Sequence, residues 1–448
     1  MVKNESSHLL VKTNRLKVFE KLMYGLGHVH NDLCAALWFS YGLIYFQIAT
    51  NPNGILPGLL IFIGQVTDAA ITPVVGYIVD LSSPRIYWHA FGSLMTVLSF
   101  PMVFIVCKLC GDITLWQGYY YGIMVCVFQI GWALVQISHL SILPELSDDH
   151  IDRTNLTAYR YSASMAANVL VHSVAWWFLN KSNNGGFYSQ LASKDLPIFM
   201  DISLVVDLLG AFCSTIFLTY GLVCLNQSGR RYISSDAIRN GSLVKLLTSP
   251  VVYKISGIYT LSRLFLNLTM VYLPLYLHNV VEVNKQYIAA VPLAMFVTAG
   301  CTSVVFNIYI NRYQISYKKI FLAGWTASFI AIVIIFLNKQ NHDSLLAVFL
   351  PSSLLGVGSG LTVIISLTLA VNQVQANGTD AMVFSIVTFS DKIINGIAVF
   401  LIEYMNCAKI EDCPYYYWNI MVYFNGFLLT SSLVVIYLIS LNDTISNL

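Results

Sequence analysis

The chain has 448 residues, 57% of them hydrophobic and 10% charged, with a formal net charge of +2 and a mean hydropathy of +0.68. So few charges cannot cover a water-facing surface of that size, whereas lipid requires none, which excludes a soluble multidomain protein. The near-neutral balance gives no footing for nucleic acid or acidic partners.

Residues 1–22 form a polar tail with Lys3, Glu5, Lys12, Arg15, Lys17, Glu20 and Lys21 and no apolar run of signal-peptide length, so the first hydrophobic segment serves as signal-anchor. A helix needs roughly 20 apolar residues to cross a hydrocarbon core of about 30 Å. Runs of that kind follow at 23–48, 55–80, 87–107, 115–143, 156–179, 197–225, 251–278, 287–311, 317–337, 345–370, 381–405 and 417–440, predicting twelve membrane-spanning helices. The longest polar break, 226–249, reads as a cytosolic linker between two six-helix bundles, 23–225 and 250–440, with a tail at 441–448. Lys and Arg crowd the N-terminal tail and the loops on its side, among them Arg85, Arg153, Arg230, Arg231, Arg312, Lys318 and Lys319. The opposite loops keep Lys108, Lys181, Lys194, Lys285, Lys339 and Lys409. The positive-inside rule therefore places both termini in the cytosol. The halves also echo each other: 131–162 (GWALVQISHLSILPELSDDHIDRTNLTAYRYS) and 358–385 (GSGLTVIISLTLAVNQVQANGTDAMVFS) both read as a Gly-started helix, a polar loop and a Thr-started helix. Such repeats put a substrate site near mid-membrane, between the halves.

Polar residues inside the spans are costly and mark function by default. The first span carries His28, His30, Asn31 and Asp32, the second Gln65, Asp68 and Thr72 on one face, and the fourth Gln129, Trp132 and Gln136. The seventh carries Arg263 and Asn267, and the eleventh Asp391, Lys392 and Asn395. Acids of the first half then face cations of the second, with Asp32, Asp68 and Asp391 as coupling candidates for a proton or sodium ion. The plainer alternatives are structural ion pairs, an Asp391–Lys392 pair that neutralises itself, and interfacial His28 and His30. Cys34, Cys126, Cys213 and Cys301 sit in apolar runs as small hydrophobes; Cys407 and Cys413 share a polar loop where an oxidising lumen would permit pairing. The cysteine spacings define no metal site, and no cofactor is implied. Asp148-Asp149-His150 is the lone cluster suited to a membrane-embedded enzyme, and nothing nearby completes it. The chain reads as a carrier rather than an enzyme.

The segments 28–39 (HVHNDLCAALWF), 64–80, 139–160 (HLSILPELSDDHIDRTNLTAYR) and 390–396 (SDKIING) resemble the glycoside–pentoside–hexuronide cation symporter branch of the major facilitator superfamily. The loop GYIVDLSSPR at 76–85 resembles the superfamily's G-x-x-x-D signature, in which the acid latches the cytosolic gate; this copy keeps Asp80 but of the basic residues only Arg85. Glu145, Arg153 and Arg160 are further candidates for gate ion pairs. The branch carries a cation motif D-A-x-x-D-P-x-x-G; here 68–76 reads DAAITPVVG, so Asp68 matches the first carboxylate and Thr72 replaces the second, which weakens the case for sodium. Lys392 matches the branch's eleventh-helix lysine. An animal subgroup that this chain resembles more closely implies import of cysteine from the cytosol into lysosomes and melanosomes. Zwitterionic cysteine would take its ammonium to Asp68 or Asp32 and its carboxylate to Lys392 or Arg263, with Trp132 and the glutamines shaping the pocket. In the tail, Glu5, Leu9 and Leu10 form an E-x-x-x-L-L pattern of the type clathrin adaptors read for lysosomal sorting.

Overall fold

The computed structural model describes residues 16–50, 54–81, 84–111, 114–147, 150–182, 189–228, 250–313, 316–339, 345–377, 380–406 and 415–442. All of its regular structure is helical, as a lipid-embedded backbone requires, because only a helix satisfies every N–H and C=O within one segment. In chain order the helices are α1 (Val18–Leu26), α2 (Val29–Ala49), α3 (Leu56–Leu81), α4 (Ile86–Val103), α5 (Thr114–Leu146), α6 (His150–Lys181), α7 (Leu196–Ser228), α8 (Pro250–Asn279), α9 (Tyr287–Tyr313), α10 (Tyr317–Leu337), α11 (Leu346–Asn377) and α12 (Asp380–Tyr404). The last rod, α13, comprises Tyr416–Asn419, a π turn Ile420–Phe424 and Asn425–Asn442. Helices α1 and α2 form one span broken at Gly27–His28. A Cβ on Gly27 would stand 2.8 Å from the Phe217 ring and 2.9 Å from that of His139, so glycine lets three helices meet there.

Among the described residues these helices make twelve spans. Ten satisfy length and apolarity for a membrane crossing, and the remaining two are α6, which carries Arg160, and α12, which carries Asp391 and Lys392. Large apolar side chains such as Leu208, Phe212, Phe329, Phe427 and Tyr437 stand exposed around the outside, where lipid accommodates them. The third span is shorter than its apolar run suggests. Helix α4 stops at Val103 just after Pro101, and the chain turns through Lys108–Cys110, closed by a Cys107–Cys110 disulfide and by Gly111 at a φ of 55°. That disulfide was not anticipated, whereas Cys407 and Cys413 lie outside the described residues.

The first six spans pack on one another, as do the last six. Among the described residues, three helix pairs make the most extensive contacts between the groups: α3 with α12, α6 with α9, and α2 with α8. In span numbers these are 2–11, 5–8 and 1–7. Adding six to every span exchanges the first two and maps the third onto itself, which is the signature of two repeats about a pseudo-two-fold axis. The repeat reaches individual glycines. A Cβ on Gly92 (α4) would lie 2.9 Å from the Gly131 carbonyl (α5), and one on Gly324 (α10) would lie 3.0 Å from the Gly358 carbonyl (α11). Gly356 is tighter still, its would-be Cβ only 2.1 Å from the Met295 carbonyl. Gly356→Ala is therefore expected to destabilise the purified protein by about 1–3 kcal/mol through overpacking. Gly122→Ala, which meets nothing within 4 Å, should leave the thermal midpoint unchanged; equal midpoints for the two variants would remove the packing argument.

Candidate functional site

Asp68 and Thr72 lie one helical turn apart on α3, just before Pro73. Lys392 reaches them from α12, its Nζ donating to Asp68 Oδ1 at 2.7 Å and to Thr72 Oγ1 at 2.9 Å. Thr72 passes its own proton to the Asp68 carbonyl at 2.7 Å, so its hydroxyl is used in both directions. One turn beyond Lys392, Gly396 brings the two helices together: a Cβ there would sit 2.8 Å from that of Gln65. The pair is buried, with side-chain exposures of 12% for Lys392 and 2% for Asp68. It ties the first group of helices to the second.

Asp391 and Lys392, although adjacent, do not neutralise each other. Asp391 Oδ2 lies 3.4 Å from Arg263 Nε on α8, and its Oδ1 accepts from Asn395 Nδ2 at 2.7 Å. Arg263 keeps 32% of its side chain exposed, more than any other member of these pairs. Asp32 departs from the expectation that acids of the first half face cations of the second: it lies 3.0 Å from His28 Nδ1, one turn earlier on its own span. Helix spacing gives a residue's face but not the neighbour that face meets. Around this centre, Gln65 Nε2, both amide atoms of Gln129 and Trp132 Nε1 are buried without hydrogen-bond partners. Orphaned polar groups of this kind suit a polar solute or water. Gln136 is half-buried and Asn267 buried, one turn past Trp132 and Arg263 respectively.

The gate candidates divide. Arg85 donates to the Ser141 carbonyl on α5, and Arg160 donates from Nη2 to His28 Nε2 at 2.9 Å, so both turn into the first group of helices. The side chains of Asp80, Glu145 and Arg153, and all of Glu5, Leu9 and Leu10, lie outside the described residues. His30, Cys34 and Asp207 bring three donor atoms within 4.8 Å of one another, but His30 Nε2 already bonds Asp207 Oδ1 at 2.9 Å, which accounts for the cluster as a buried imidazole–carboxylate bridge.

Sequence reasoning missed a second set of contacts, at the membrane face opposite the N-terminus. Lys285, in the α8–α9 turn, donates to Asp195 Oδ1 at 2.8 Å and to the Ser182 carbonyl at 3.1 Å. Its backbone N–H reaches the Ser189 carbonyl, and Asn284 Oδ1 accepts from the Ser189 N–H. Nearby, Gln47 at the end of α2 donates to Glu403 at the end of α12 at 2.9 Å and meets the Tyr417 hydroxyl at 2.7 Å. Lys285, Asp195, Gln47, Glu403 and Tyr417 are all buried. These contacts bind the two groups of helices, so the structure is closed at this far face.

A family profile described as MFS/sugar transport protein matches residues 23–405. The chain belongs to the MFS/sugar transport family. Within it, the horse (Equus caballus) major facilitator superfamily domain-containing protein 12 is 31% identical over 92% of this chain and 91% of its own. The human protein of the same name is 30% identical at the same coverage. The D-xylose-proton symporter shares the fold, with a TM-score of 0.67 over 93% of this chain and 96% of that one at 14% identity. As a member of the superfamily, the chain is a multi-pass membrane transporter, and the pairing of spans 2–11, 5–8 and 1–7 described above is the seam of a two-bundle carrier.

Proposed function

We infer that this transporter moves cysteine from the cytosol into the lumen of lysosomes and melanosome-type organelles by alternating access between two six-helix bundles, 23–225 and 250–440. The observation that carries the reading is the Asp68–Lys392 bridge across the seam. A free zwitterion presents the same two charges. Its ammonium competes for Asp68 or Asp32, its carboxylate for Lys392 or Arg263, and exchanging one set of pairs for the other changes which closed state is favoured. The unpartnered Gln65, Gln129 and Trp132 groups supply neutral handles beside them. The N-terminal face is then cytosolic, with Asp80, Arg85, Glu145, Arg153 and Arg160 at its gate. The tail's Glu5, Leu9 and Leu10 would engage a clathrin adaptor for delivery to the lysosome.

The second reading is a cation-coupled symporter of a sugar or another small organic solute, favoured by the family's description and by relatives named as symporters. Uptake of labelled cysteine into proteoliposomes separates them: competition by unlabelled cysteine with no effect of melibiose-like sugars supports the first, and the reverse pattern sinks it.

A further inference from the structure

Among the described residues, five imidazoles are buried in the first group of helices: His28, His30, His89, His139 and His172. Four are held by partners. His30 bonds Asp207 as described. His89 Nε2 donates to the Gly27 carbonyl at 2.9 Å, leaving Nδ1 to accept from Ser93. His172 Nδ1 donates to the Asn168 carbonyl at 2.8 Å, and its Nε2 accepts from Ser40 at 3.1 Å. His28 Nε2 accepts from Arg160, so its proton sits on Nδ1, the atom nearest Asp32. His139 differs, because neither of its ring nitrogens has a hydrogen-bond partner, although none of the residue is exposed. Its ring stacks on Tyr24 at 4.2 Å, with the His28 ring at 5.4 Å and the His89 ring at 5.8 Å. Orphaned buried nitrogens cost free energy that a simple core aromatic would avoid, so the site keeps an unused acceptor beside a carboxylate–imidazole pair.

We propose that Asp32, His28 and His139 form the carrier's proton-binding relay and that a proton crosses in the direction opposite to the solute. This rests on the reading of Asp32 as a partner for the solute's ammonium. The guanidinium of Arg160 and a proton compete for His28 Nε2. With Arg160 in place, His28 is neutral, so the Asp32 carboxylate beside it keeps its full negative charge for an ammonium. When the far face opens, a proton binds Nε2 in place of Arg160. The imidazolium then claims Asp32, and the solute loses its anionic partner and departs. On return, Arg160 displaces the proton: the Nε2–H bond of His28 breaks, an N–H bond forms at a free nitrogen of His139, and the proton leaves to water at the N-terminal face. An acidic compartment beyond the far face would thus drive solute inward.

The charged and titratable groups facing this relay fit one mobile proton. Tyr24 faces it from α1, where Lys21 is occupied by Asp152 of α6 at 2.7 Å. His89 faces it from α4 and Arg160 from α6, while α7 contributes the Phe217 ring, 5.4 Å from His139, and an Asp207 held by His30.

The test uses the full-length protein in proteoliposomes with labelled cysteine. Equilibrium exchange needs no net proton movement. Accumulation against a gradient does, and one coupled proton supports about tenfold accumulation per pH unit. The wild type is expected to accumulate cysteine on the acid side. His139→Gln and His139→Asn should still exchange cysteine, which shows that they are folded, but accumulate about tenfold less at one pH unit. Wild-type accumulation in the His139 variants overturns the relay, as does a wild type that exchanges cysteine without responding to the pH gradient; both leave the substrate reading standing. If the wild type exchanges no cysteine, the substrate reading fails instead. The relay is then decided by NMR of histidine-labelled protein in nanodiscs: a titrating imidazole signal that disappears in His139→Gln supports it, and a pH-independent spectrum overturns it.

Discussion

Lys392→Ala is expected to lower transport by about a hundredfold or more, because removing one partner of a buried ion pair costs about 3–5 kcal/mol and tenfold corresponds to about 1.4 kcal/mol. The alanine leaves the Asp68 carboxylate 2% exposed, with Thr72 as its remaining side-chain donor. Asp68→Asn alone strands the ammonium in the same way. The double variant Asp68→Asn/Lys392→Ala removes both charges, so its folding and membrane abundance should recover toward wild type while its transport does not. This non-additivity separates a structural bridge from a working one. Uptake normalised to protein in the membrane, together with thermal stability in detergent, gives both numbers. Wild-type uptake in the double variant would take these residues out of the mechanism.

Asp195→Asn or Lys285→Met should release the far face. Both side chains are almost wholly buried, at 4% and 2% exposure, and in an alternating carrier the bridge exists only in the state closed there. Its loss costs that state alone about 3–5 kcal/mol, a shift of about a hundredfold to a few thousandfold in the balance between closed and open forms. A cysteine placed on the far-face side of the seam, probed with a membrane-impermeant maleimide, should change from protected to labelled. The exchanged pair Asp195→Lys/Lys285→Asp should restore protection, because it rebuilds the bridge in reverse. Unchanged labelling across all variants would mean that the Gln47–Glu403–Tyr417 contacts suffice to hold the face shut.

The architecture was legible in the sequence because lipid imposes a length: about 20 apolar residues per crossing recur twelve times, and the paired segments beginning at Gly131 and Gly358 reappear as matching glycine contacts, α4 on α5 and α10 on α11. The intramembrane charges were legible for the same reason, since few residues break those runs. Their partners were only partly so. Asp68 does meet Lys392, but Asp32 stays with His28, because a helical wheel cannot tell a neighbour on the same span from one across a seam. The far-face bridges were invisible. Lys285 is a lone cation in a short turn 90 residues from Asp195, and Glu403 a lone acid at a helix end 356 residues from Gln47. The third span was overextended because apolar residues 104–107 look like membrane helix, while Pro101 and the Cys107–Cys110 link end it sooner.

The sealed far face also decides from which side a drug can act. A small-molecule blocker that wedges into this form must arrive from the face that carries the chain's N-terminus, because the other entrance is bolted by Lys285 and Glu403. If the proposed placement holds, with this face cytosolic and the far face toward an acidic lumen, such a compound would need to cross only the plasma membrane, and so would escape the trapping that weak bases suffer inside lysosomes.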